Sequence, residues 1–138
     1  LEGKINGKHL DVDIQLPEEE MITLGDKDSI TQVVYNLVDN AVKFANDGST
    51  LGISLWKQDG KAYVKVENTG VPIPKDELPM IFDRFHKTDK SRSVDRDGVG
   101  LGLYIVKTIL DQHNENVFVS SEDGKTTFVF TLTIKKES

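Results

Sequence analysis

The sequence predicts a single α+β domain, a two-layer α/β sandwich with one mixed sheet of about five strands and about three helices on one face. Three observations predict it. Asp59-Gly60 and Asp123-Gly124 each separate two runs rich in β-branched and aromatic residues, which marks two hairpins. Residues 30–45 carry apolar side chains at 30, 33, 34, 37, 38, 41, 42 and 45, the period of a long amphipathic helix. Strand and helix patterns are mixed rather than alternating as βαβ units, which argues against a regular parallel series. A length of 138 residues suits one hydrophobic core.

The elements follow in order. Residues 8–16 alternate polar and apolar and read as a strand, broken by Pro17 and the acidic run after it. Residues 21–25 read as a short extended piece. Asp26 and Asp28 are both suitable N-caps for the long helix. Asn46-Asp47-Gly48-Ser49 ends that helix with turn chemistry. Residues 51–57 and 61–68 are the strands of the first hairpin. A loop with Gly70, Pro72 and Pro74 follows, then a short helix from residue 75 to 80 or 82. Residues 86–97 are polar and charged without an apolar period, and read as a mobile loop. Gly98 to Gly102 opens a helix running to about His113, with Leu103, Val106, Ile109 and Leu110 inward. His113 is expected as a cation at that helix end, and Asn114 as its left-handed cap. Residues 117–121 and 127–135 form the second hairpin.

Composition narrows the function. A net charge of −6 argues against a general nucleic-acid binder but not against a nucleotide site, which needs only local amides and a few cations. The absence of cysteine excludes a disulfide framework and thiolate metal sites. No apolar run is long enough to span a bilayer, and no signal-peptide pattern is present. The chain begins at Leu1, so it is expected to be a piece of a longer polypeptide.

Two segments carry the chemistry. At 100° per residue, Asn36, Asn40 and Lys43 fall within about 60° of one another on the side of the long helix away from its apolar face. Asparagine is a mediocre helix former, so two in one helix interior need a reason. An amide oxygen completes the shell of a magnesium ion otherwise held by phosphate and water, and a lysine one turn on pairs with phosphate. Phe44 or Tyr35 could flank a base, with Phe44 favoured as core. Gly98, Gly100 and Gly102 offer close backbone approach, free N–H groups and a helix N-terminus. The run is neither a Walker loop, lacking Gly-Lys-Ser/Thr, nor a Rossmann fingerprint, lacking a feeding strand. An amide stripe facing such a run suits magnesium–ATP.

The order of motifs is specific. The amide helix is followed by Val66-Glu67-Asn68-Thr69-Gly70, Ile81-Phe82-Asp83-Arg84-Phe85, Gly98-Val99-Gly100-Leu101-Gly102-Leu103 and Gly124-Lys125-Thr126-Thr127-Phe128. This resembles the N, G1, F and G2 boxes and the terminal threonine segment of sensor histidine kinases, over about residues 8–134. The resemblance implies the Bergerat fold, with ATP between the amide helix and the glycine run under a lid of about residues 86–99. It implies Asn40 as the magnesium ligand, with Asn36 and Lys43 as phosphate-side neighbours. It places Asn68, Gly70, Ile73 and Thr127 near the adenine, and Phe85 in the F box. Lys87, with Lys90 and Arg92, supplies lid cations, and Gly98, Gly100, Leu101, Gly102 and Leu103 form the approach to the phosphates. The implied partners are a helical dimerisation domain of the same protein, which carries the phosphoacceptor histidine, and a response regulator. The implied parent is membrane-anchored with this domain in the cytoplasm, the domain itself touching neither membrane nor nucleic acid.

The chain departs from that pattern at named places. Asn68 stands where the family usually has an aspartate that accepts from the adenine amino group. Strand alternation puts Glu67 on the other face, so Glu67 does not replace it. An amide oxygen still accepts, but more weakly than a carboxylate, so looser adenine recognition is expected. Pro72 replaces the second glycine of that box, and Asn114-Glu115 replaces a frequent Gly-Gly, read as capping variation. Same-fold ATPases such as gyrase and heat-shock chaperones carry a glutamate at the Asn36 position. An amide cannot act as a general base, so rapid hydrolysis is disfavoured. Same-fold serine kinases or anti-sigma switches usually carry a carboxylate there too, and an inert nucleotide-binding module is the remaining alternative. None of the three histidines lies in a helical phosphoacceptor motif, so nucleotide binding without autophosphorylation is expected.

Overall fold

The structure, a computed structural model, describes residues 1–84 and 101–136. In chain order these form α1 (Glu2–Gly7), β1 (Asp11–Gln15), α2 (Lys27–Phe44), β2 (Thr50–Gln58), β3 (Lys61–Thr69), a 3-10 turn (Leu78–Met80), α3 (Gly102–Gln112), β4 (Val117–Glu122) and β5 (Lys125–Thr133). The strands make one sheet in the order β1-β2-β3-β5-β4. β1 runs parallel to β2, and the other neighbours are antiparallel. This is the mixed sheet that the two hairpins and the first strand predict.

Turn chemistry sets the hairpins. Asp59 and Gly60 have φ of 52° and 79°, and Asp123 and Gly124 have 52° and 77°. Both central residues are left-handed, as a two-residue loop matching the strand twist requires. The core lies between the sheet and the helices. α2 buries Val33, Leu37, Val38, Ala41 and Val42, and α3 buries Val106 and Leu110. They meet Leu51, Val66, Phe128 and Phe130 of the sheet. Phe82 adds an edge-on contact to Phe128, ring centroids 6.1 Å apart.

Each end of α2 is satisfied differently. Of the two candidate caps, Asp26 is used: its Oδ2 accepts from Ser29 N at 2.9 Å and Ser29 Oγ at 2.6 Å. At the other end Gly48 supplies the predicted turn, with φ of 74°. The last carbonyls, however, are met by Lys8, whose Nζ donates to the oxygens of Val42 (2.8 Å), Lys43 (2.8 Å) and Ala45 (3.1 Å). A cation at a helix C-terminus both bonds these groups and complements the dipole. Lys8→Met is expected to lower unfolding free energy by about 1–2 kcal/mol, because it keeps the stem and removes these bonds. Urea denaturation checks it, and an unchanged midpoint would show the cap to be idle.

Several elements differ from the sequence expectation. α1 was not foreseen: it is one short turn-and-a-half with two glycines and no side-chain cap, held by Leu1 and Ile5 against the core. The first strand begins only at Asp11, because His9 is left-handed (φ 54°) and turns the chain. Its alternation does not become inside and outside, since all of Asp11–Gln15 is exposed at the sheet edge. The expected helix from residue 75 is only the 3-10 turn, in which Pro79 has no N–H to continue a ladder. No helix among the described residues is long and apolar enough to cross a membrane.

Candidate nucleotide site

α2 carries Asn36, Asn40 and Lys43 along one side, all half-buried rather than solvated. α3 begins beside the first of them. Asn36 Nδ2 donates to the Gly102 carbonyl at 3.2 Å, joining the amide stripe to the first residue of α3. The other atom of that amide, Oδ1, accepts from Gln32 Nε2 at 2.7 Å. Asn40, one turn further, makes no side-chain hydrogen bond to another described residue. Lys43 Nζ lies 3.2 Å from Asp39 Oδ2, and Asp39 Oδ1 lies 3.3 Å from Lys4 Nζ. Among the described residues, a Cβ built on Gly102 would meet nothing within 4 Å.

At the far end of the sheet, a polar row interrupts the apolar inner face. The ladder places Leu51, Asn68, Thr126 and Ser121 side by side across β2, β3, β5 and β4. Asn68 is only 2% exposed, and its Nδ2 is buried without a hydrogen-bond partner among the described residues. Thr126 Oγ1 and Ser121 Oγ are 2.9 Å apart, and Ser121 Oγ accepts the Ile73 N–H at 2.9 Å. Ile73 is half-buried over this row and packs against the core. Gly70 closes the corner: its N–H donates to Gly124 O at 2.9 Å, and Val71 N–H donates to Phe44 O at 3.0 Å.

The candidates therefore fall into groups. Asn36 and Gly102 meet at the α2–α3 seam, with Leu103 next along α3 and Leu101 the residue before it, while Asn40 and Lys43 lie one and two turns further along α2. Asn68, Gly70 and Ile73 lie at the polar row. Phe85, Lys87, Lys90, Arg92, Gly98 and Gly100, and the whole of the expected lid, lie outside the described residues. Thr127 is corrected: the register pairs it with Glu67 on the opposite face, where its Oγ1 donates to Glu67 Oε2 at 2.7 Å. Thr126 takes its place beside Asn68 (4% exposed), a residue that only the strand pairing distinguishes from its neighbour. His113 is tied at both ring nitrogens. Its Nδ1 faces the Ile109 carbonyl at 2.8 Å, and its Nε2 accepts the Asp26 N–H at 3.1 Å. The ring thus bridges the end of α3 and the start of α2. Tyr35 is half-exposed and Phe44 is half-buried outside the core cluster. Among the described residues no group of three His, Cys, Asp or Glu could hold a metal.

Comparison with known proteins agrees with this layout. Residues 25–137 match the family described as "Histidine kinase-, DNA gyrase B-, and HSP90-like ATPase". The chain is 35% identical over 133 residues to the sensor histidine kinase WalK of Bacillus subtilis, covering 94% of this chain but 22% of that protein. The catalytic domain of histidine kinase ThkA superposes with a TM-score of 0.82 at 28% identity, over 96% of this chain and 85% of that one. A structure of ThkA in complex with the response regulator TrrA superposes with a TM-score of 0.79 at 27% identity, over 97% of this chain and 37% of that one. The sheet and its helix layer are the Bergerat fold of such catalytic domains. With most of its length inside that match, the chain belongs to the family of histidine kinase-, DNA gyrase B- and HSP90-like ATPases.

Proposed function

We propose that this chain is the ATP-binding catalytic domain of a sensor histidine kinase, presenting the γ-phosphoryl group of ATP to a histidine on a separate helical dimerisation domain. Family membership implies ATP binding. The observation that carries the finer reading is the Asn36–Gly102 hydrogen bond, which brings the amide stripe and the glycine-opened helix into one seam. Both atoms of the Asn36 amide are engaged, by Gly102 and Gln32, and neither is a base. That supports phosphoryl transfer by positioning and charge neutralisation over activation of water. A response regulator as downstream partner is supported by the ThkA–TrrA complex, and membrane anchoring of the parent protein rests on the kinase reading alone.

The residues present fit the nucleotide. Asn68 Nδ2, buried and without a partner among the described residues, is the kind of group that a base edge satisfies. Asn40 offers one neutral oxygen to magnesium, which would draw its other ligands from phosphate and water. Bound there, the ion supplies charge neutralisation at the phosphates. Lys43 adds a cation one turn away, shared with Asp39.

Titration calorimetry with Mg-ATP tests the reading. The wild type is expected to release binding heat, and Asn40→Asp and Lys43→Ala to weaken affinity by about tenfold or more each, the worth of one charge-assisted contact. Absence of heat from the folded wild type overturns it.

A further inference from the structure

We propose that Asn68 makes this pocket a dual purine site, taking 6-oxopurine nucleotides such as inosine and guanosine triphosphate as well as ATP. The inference rests on the pocket being a purine nucleotide site and concerns what it reads on the base. A carboxylate at the bottom of such a pocket only accepts hydrogen bonds. It therefore selects a 6-amino group and repels a 6-oxo group. An amide carries a donor beside an acceptor. Here the donor, Asn68 Nδ2, is buried with no partner among the described residues, although the residue is only 2% exposed. No described side chain therefore holds the amide in one sense, and a half-turn about its last bond exchanges the two atoms.

The two purine edges match the two orientations. Adenine offers an amino donor at position 6 and an acceptor at N1. Amide oxygen faces the first, and amide nitrogen faces the second. Hypoxanthine and guanine offer an oxygen at position 6 and a donor at N1, and the turned amide meets both. The neighbouring hydroxyls are equally two-sided. Ser121 Oγ already receives the Ile73 N–H, and Ser121 and Thr126 share one hydrogen across their 2.9 Å contact. When Ser121 is the donor the spare hydrogen lies on Thr126 beside Asn68, and when Thr126 is the donor it presents lone pairs there instead. Nothing in the row Asn68–Thr126–Ser121 is fixed as acceptor only. Sites that discriminate strongly do so by leaving a buried polar group unpaired against the wrong ligand, and this row leaves none unpaired against either edge.

Competition calorimetry with the magnesium forms of ATP, ITP and GTP tests the proposal on the wild type and Asn68→Asp. The wild type is expected to bind ATP and ITP within about tenfold of each other. ITP carries the 6-oxo edge without a 2-amino group, and a comparable GTP affinity supports the same conclusion. Asn68→Asp is expected to raise the preference for ATP over ITP by about ten- to a hundredfold, the cost of opposing two acceptors in a buried place. Asn68→Leu, which introduces no buried charge, is expected to weaken ATP and ITP alike. The proposal is overturned if the wild type favours ATP over both ITP and GTP by more than about a hundredfold. It is overturned equally if the ratio is unmoved in Asn68→Asp, or if Asn68→Leu leaves both affinities intact. Failure of the underlying nucleotide reading looks different, because then ATP itself does not bind.

Discussion

Gly70→Ala is expected to lower unfolding free energy by about 2–4 kcal/mol, and the melting temperature by roughly 10 °C. Gly70 is not left-handed; what it needs is room. A Cβ there would lie 2.0 Å from the Phe44 carbonyl oxygen, 2.9 Å from the Phe44 carbonyl carbon and 3.0 Å from Ala45 Cα. These are backbone atoms, which cannot swing away as a flexible side chain can. The contact is a zipper between the end of α2 and the end of β3. Ala45 bridges Gly70, Val71 N–H donates to Phe44 O, and Asn46 N–H donates to Thr69 O. A methyl group must part these strands of chain, adding overpacking to lost hydrogen bonds. Asn68 lies two residues upstream, so nucleotide affinity should fall with stability. Thermal melting by circular dichroism decides it, and a variant within about 2 °C of wild type would show that the close approach is not maintained in solution.

The second large effect belongs to Glu115, far from the nucleotide candidates. Its side chain is 3% exposed and fully engaged. Oε1 accepts from Lys61 Nζ at 2.8 Å and Thr131 Oγ1 at 2.9 Å, while Oε2 accepts from Thr133 N at 2.7 Å and Thr133 Oγ1 at 2.9 Å. The carboxylate thus pins the α3–β4 connection to the end of β5. Glu115→Ala is expected to cost about 3 kcal/mol at neutral pH, at the low end for a broken buried pair, since the Lys61 side chain is 35% exposed and regains water. Burial alone would push this carboxyl up. The hydrogen bonds from Lys61, Thr131 and Thr133 and the charge of Lys61 together outweigh burial, and the net direction is down from the ordinary 4.5. A carboxyl lowered on folding contributes stability above its unfolded value and loses it as pH falls through the folded one. The wild-type melting temperature should therefore drop below about pH 4.5, and Glu115→Gln should flatten that part of the profile. A Glu115→Gln profile parallel to wild type on the acid side would refute the assignment.

The long helix and both hairpins were legible because their signals are local. Helical period, an Asp cap and Asp-Gly turns fix dihedral angles within a few residues. The left-handed Asn114 (φ 55°) was foreseen for the same reason. Glu115 beside it was read only as part of a cap, because its partners Lys61 and Thr133 lie 54 and 18 residues away. Lys8 looked like an ordinary strand residue, and nothing near it in sequence announces that it caps a helix ending 34–37 residues later. The short expected helix around residue 78 failed through an identifiable local cause, Pro79, which acidic and apolar neighbours concealed.

The sequence alone determined the family, the residue types on the amide stripe, and the replacement of a carboxylate by Asn68. Each is readable from identity and spacing along one element. Tertiary structure decided which threonine stands beside Asn68, why Gly70 must lack a side chain, and that His113 bridges the ends of two helices. Those facts depend on sheet register and on backbone approach between segments tens of residues apart. A shift of one residue in the β3–β5 pairing would exchange Thr126 for Thr127 without altering any local propensity.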